Sequence, residues 1–119
     1  MFLLTVILAG VTGFGFAAAG IAKLISHPTM VEAQQHLGLA PPLWKAVGAL
    51  EVLGAAGLAV GLHEDLPVVG VLAAAGLVAL TIGATFYHQR ADDRIPEWLP
   101  AVVMGSLAIF YAIARVGSA

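Results

Sequence analysis

Four long apolar runs, each close to the length of a membrane crossing, constrain this chain more than any other feature. They cover residues 2–25, 43–62, 67–88 and 97–115. A helix rises about 1.5 Å per residue, so roughly 20 residues span a hydrocarbon core of about 30 Å. The runs are built from Ala, Leu, Gly and Val, without the alternation that a lipid-facing strand requires. Backbone polar groups in lipid are satisfied only within helices or closed barrels. The expected fold is therefore all-α, a transmembrane four-helix bundle forming one domain over residues 1–119. Composition points the same way. The chain is 61% hydrophobic and 10% charged, against about 45–50% and about 25% for soluble domains. Five basic and seven acidic side chains cannot cover a soluble domain of this size. The formal net charge of -2 gives no basic footprint, so nucleic acid is not an expected partner. Cysteine is absent, which removes disulfides, Cys-ligated zinc and iron–sulfur clusters.

The segments between the runs carry stop and start signals. Ser26, His27 and Pro28 end the first helix, and residues 38–42 lead into the second. His63, Glu64 and Asp65 make a short polar turn before Pro67, which suits the first turn of the third. Asp92 to Pro96 reads as a capped start for the fourth. Within the first loop, Met30, Val31, Ala33 and Leu37 recur at helical spacing beside Glu32, Gln34, Gln35 and His36. That pattern predicts a short amphipathic helix lying in the membrane interface. The first run is not read as a cleaved signal peptide. Ala17, Ala18 and Ala19 resemble a cleavage site, but no basic segment precedes an apolar stretch of unusual length. Lys23, Lys45, Arg90 and Arg94 fall on one side and Arg115 on the other. The positive-inside rule then puts both longer loops in the cytoplasm and both termini outside. Trp44, Tyr87 and Trp98 are expected to anchor the loop side. The Ala/Gly/Val-rich composition suggests a bacterial source, hence a plasma membrane.

Small residues supply the expected helix contacts: Gly10, Gly13, Ala17 and Gly20 on the first helix, Gly54, Gly57 and Gly61 on the second, Gly76 and Gly83 on the third. Glu51 breaks the apolar pattern, roughly 12 Å below the loop-side boundary. A carboxylate there costs at least about 2.5–3.5 kcal/mol on insertion scales unless it is satisfied. Helical side chains tilt toward their own N-terminus, so Lys23 leans into the membrane while Glu51 leans toward the loops. The two converge if their faces meet. His88 leans inward from the same side. The expectation is one polar pocket from Lys23, Glu51 and His88, with Arg90, Asp92 and His36 at its rim. A purely structural Lys–Glu pair is the alternative. His27, Glu32, His36, His88, Asp92 and Asp93 include enough ligand types for a metal, but no HExxH-like spacing joins them and none is expected. No Ser-His-Asp order suggests a nucleophile.

The polar residues also form an ordered pattern. AGIAKL at residues 19–24, HLGL at 36–39, GALEVLGAAGL at 48–58 and HQRADD at 88–93 resemble the DoxX-like family of small four-helix membrane proteins, over essentially the whole chain. The resemblance implies architecture first. Related proteins include membrane subunits linked to sulfur oxidation with quinone, an amine-dehydrogenase maturation protein, partners of superoxide dismutase and a receptor chaperone. Lys23, Glu51, His88 and Arg90 carry over from their motifs, with no catalytic role assigned. The expected function is a non-enzymatic accessory subunit or assembly factor, working with a protein partner or a second copy and possessing no bound cofactor. The alternative is a membrane enzyme or binding protein for quinone, lipid or another apolar molecule, with Glu51 as proton acceptor and Lys23 or His88 as donor. A cavity beside Glu51 favours the alternative, and a solid interior favours the accessory role. On either reading, Glu51→Ala strands a buried Lys23 and lowers unfolding stability in detergent by about 3–5 kcal/mol. An unchanged thermal midpoint contradicts the pairing.

Overall fold

The computed structural model describes residues 2–118. All regular structure among them is helical: α1 (Phe2–Leu24), α2 (Pro28–Leu37), α3 (Pro41–Val60), α4 (Pro67–Arg90) and α5 (Ile95–Gly117). The four long helices have mean hydropathy of 1.5 to 2.2, enough in length and composition to cross a membrane. α1 packs on α3 and α5, and α4 packs on the same two helices. Their shared core is built around Phe16, Leu58, Leu77 and Tyr111. Outward faces are apolar as well. Phe14 is 79% exposed, and Leu3, Leu53 and Ile82 also stand clear of the protein. A surface of this kind is suited to acyl chains.

Helix ends follow the sequence signals closely, with three differences. α3 begins at Pro41, two residues before its expected start, because proline is accommodated in a first turn that needs no N–H partner. Glu51 therefore lies about 15 Å along its helix. α4 continues through Arg90, carrying His88 on its last turn. At α5 the residue before the helix is Arg94, without a side-chain cap; Asp92 and Asp93 do not cap it. α2 forms where the amphipathic spacing falls. His27 Nδ1 accepts from the Thr29 N–H at its start. Its end is a Schellman turn: Gly38 has φ 72°, Leu39 N–H bonds to Gln34 O and Gly38 N–H to Gln35 O.

Close helix approach depends on particular glycines. A Cβ on Gly20 would lie 2.5 Å from Gly48 O, and one on Gly48 would lie 2.8 Å from Gly20 O. α1 and α3 thus touch backbone to backbone at that level. Gly61 and Gly70 make the corresponding approach between α3 and α4, below the Tyr111 hydroxyl. The expected stripes are only partly used. Gly10, Gly76 and Gly83 have no neighbouring heavy atom where a Cβ would stand, so they do not join helices within the chain.

At the end away from α2, Arg115 is 2% exposed. Its Nε donates to Gly61 O at 2.6 Å and its Nη2 to His63 O at 3.1 Å. One turn earlier, Tyr111 OH donates to Leu58 O at 2.7 Å. Two α5 side chains therefore satisfy carbonyls at the C-terminal end of α3, where a cation also meets the negative end of the helix dipole. Sequence reasoning counts Arg115 only as a topological charge; the structure makes it a clamp. Arg115→Leu should lower stability in detergent by about 2–3 kcal/mol. Chemical denaturation checks this, and a loss below about 0.5 kcal/mol contradicts the clamp.

Candidate functional site

Contact between Gly20 and Gly48 brings the next turns of α1 and α3 together. Lys23 lies one turn beyond Gly20, and Glu51 three residues beyond Gly48. Lys23 Nζ meets Glu51 Oε1 at 2.6 Å. The two residues are 9% and 7% exposed. Trp44, two turns before Glu51 on α3, sets its ring centroid 4.9 Å from the same Nζ. The ammonium thus lies between a carboxylate and an aromatic face, both of which favour its charge. Trp44 consequently faces inward, whereas the sequence suggested an interfacial anchor. Lys45, its neighbour, is exposed.

Beside this pair is a cavity of ≈ 560 Å³, within the roughly 300–1,000 Å³ typical of small-molecule sites. Every helix contributes to its wall, for example Phe16, Leu37, Trp44, Leu80 and Met104. The lining is predominantly apolar. Lys23, Glu51, Thr81 and His88 are the hydrogen-bonding exceptions that matter most, and Thr81 Oγ1 is already committed to Val78 O. Gly83 also borders the cavity, where a missing side chain leaves room. Trp44 Nε1 is buried without a hydrogen-bond partner among the described residues.

Of the six residues expected at the site, Lys23, Glu51 and His88 border one cavity. His88 does not reach the carboxylate through a direct bond. Its Nδ1 instead donates to Asp93 Oδ2 at 2.6 Å, while His36 Nε2 donates to Asp93 Oδ1. His36 approaches the cavity only through this link; its side chain is 55% exposed, against 8% for Asp93. Arg90 and Asp92 are not brought to the wall. Arg90 is exposed, with its guanidinium 6.0 Å from the Tyr87 ring centroid. Asp92 is exposed with φ 58°, a left-handed turn that aspartate tolerates better than most residues. By taking the turn, Asp92 sends Asp93 back toward α4. The sequence does hold that signal, in two acids just past a helix end, but it does not say which acid turns. Among the described residues, no three donors converge as a metal site.

Asp93 is held below its ordinary value of 3.8, first by the hydrogen bond from His88, then by that from His36; burial opposes them. A depressed carboxylate stabilises the fold above its unfolded pKa and loses that contribution as pH falls through the folded value.

A model of the DoxX-like family matches residues 7–111, so the chain belongs to the DoxX-like family. With its four long apolar helices, it is an integral membrane protein. No curated protein matches it, and no solved structure does.

The His36–Asp93–His88 link joins α2 to the end of α4, so acid should free α2. Amide exchange in α2 should accelerate as pH is lowered below the ordinary carboxylate value of 3.8, after correction for intrinsic rates. In Asp93→Ala the acceleration should already be present at neutral pH. Identical profiles for the two proteins contradict the link.

Proposed function

We propose that this member of the DoxX-like family is a membrane-embedded binding protein for a small apolar molecule, held among the helices with its polar head at the level of Lys23 and Glu51. The observation that carries the reading is the cavity itself: ≈ 560 Å³ of mainly apolar wall beside a buried ion pair. A solid interior would make Lys23 and Glu51 purely a lock between two helices. Here the pair also borders a space of ligand size. Quinone and lipid-like molecules both have the required form, an apolar body with a polar end. In this reading the long helices cross the membrane as a four-helix bundle and α2 lies in the cytoplasmic interface. Both termini are outside, in a bacterial plasma membrane.

A second reading, an accessory subunit or assembly factor, is supported by a different observation. Gly10 and Gly76 are exposed and meet nothing within the chain. Small residues on an outward face allow a partner helix, from another protein or another copy, to approach closely.

One experiment weighs the two readings. The protein is extracted into lipid-preserving polymer discs and its companions are identified by mass spectrometry. A small molecule at about one per chain, reduced at least about tenfold in Ala84→Phe, is the expected result; Ala84 lines the cavity. A stoichiometric protein partner with no enriched small molecule overturns the binding reading in favour of the accessory one. Retention of the same molecule in Ala84→Phe places it elsewhere and also contradicts the proposal.

A further inference from the structure

Glu51 gives its Oε1 to Lys23, and His88 is a second basic group on the cavity wall. Carboxylates accept, so Asp93 fixes the hydrogen on His88 Nδ1. In the neutral ring Nε2 then carries the lone pair. That nitrogen has no partner among the described residues, and His88 lines the cavity. On the far side of Asp93, His36 donates from a largely exposed ring. The three side chains run from the aqueous face, through a carboxylate 8% exposed, to the cavity wall.

We infer that His88, oriented by Asp93, is a proton-acceptor site for the hydroxyl head of an apolar, phenol-like ligand, and that His36 completes the site from the water side. The inference rests on the binding reading above and names its ligand class. In the step, the ligand O–H bond breaks and the proton joins His88 Nε2. The electron pair stays on the ligand oxygen, as an oxyanion in a cavity whose wall carries the Lys23 ammonium. His88 becomes an imidazolium, with its Nδ1–H still on the Asp93 carboxylate, and the reverse transfer restores the start. No oxidant or second reactant is needed. Asp93 remains ionised throughout, consistent with two imidazole donors holding its proton affinity down. It is a positioning residue: it selects the tautomer and stabilises the charged ring.

The test uses two probes of nearly equal shape, 2-naphthol and 2-methoxynaphthalene, dialysed against the full-length protein in lipid nanodiscs with empty nanodiscs as blank. Both should bind, with 2-naphthol preferred roughly tenfold. In His88→Phe and in Asp93→Ala the ratio of the two affinities should fall to near unity, read within each variant so that any change common to both probes cancels. Equal binding of the two probes to wild-type protein overturns the inference and leaves the cavity reading intact. Failure of both probes to bind removes the cavity reading, and this inference with it. Should a variant fail to fold, nitrogen-15 spectra of wild-type His88 decide at mildly alkaline pH. A protonated Nδ1 with an unprotonated Nε2 supports the assignment, and the opposite tautomer refutes it.

Discussion

An ammonium and a carboxylate in contact inside an otherwise apolar set of helices impose more on this chain than any other interaction. Each charge alone is costly away from water, and removing one leaves the other stranded. Their contact at 2.6 Å requires α1 and α3 to approach at one level and in one rotation. Gly20 and Gly48 allow that approach because neither backbone carries a Cβ at the crossing. The pair and the glycines are therefore one device. The glycines set the distance, and the charges penalise every other register.

The remaining architecture follows from where that crossing lies. α1 and α3 meet near the loop-side end, and at the opposite end Tyr111 and Arg115 of α5 tie to carbonyls at the end of α3. With the packing fixed at both ends, a cavity is left beside the ion pair and lined by all five helices. α2 has few contacts of its own with the long helices and is secured by the shared carboxylate of Asp93. A single side chain thereby orients His88 at the cavity and retains the helix above it.

Most of the helical pattern was legible in the sequence because long apolar runs, proline at helix starts and polar turns act locally. The Lys23–Glu51 meeting was legible too, since side-chain tilt on antiparallel neighbours gives converging directions before any contact is known. Longer-range choices were not. Nothing local distinguishes Asp92, which takes a left-handed turn, from Asp93, which faces two histidines. Arg115 counts equally as a surface charge until α5 is set against the end of α3. Glycine stripes show that close contact is available but not which glycines use it: Gly20 does, against a Gly48 outside the expected stripe, whereas Gly76 and Gly83 meet no helix. A cavity is a property of packing that no composition or spacing reveals.

The central claim, that Lys23 and Glu51 are in contact within the membrane, is open to direct distance measurement. Dipolar recoupling by solid-state NMR, in lipid, between nitrogen-15 at Lys23 Nζ and carbon-13 at the Glu51 carboxyl reads that contact. A coupling that fits Nζ and Oε1 at 2.6 Å is the result the account requires. Dephasing too weak for any hydrogen-bonded separation, in protein that is otherwise folded, would contradict it.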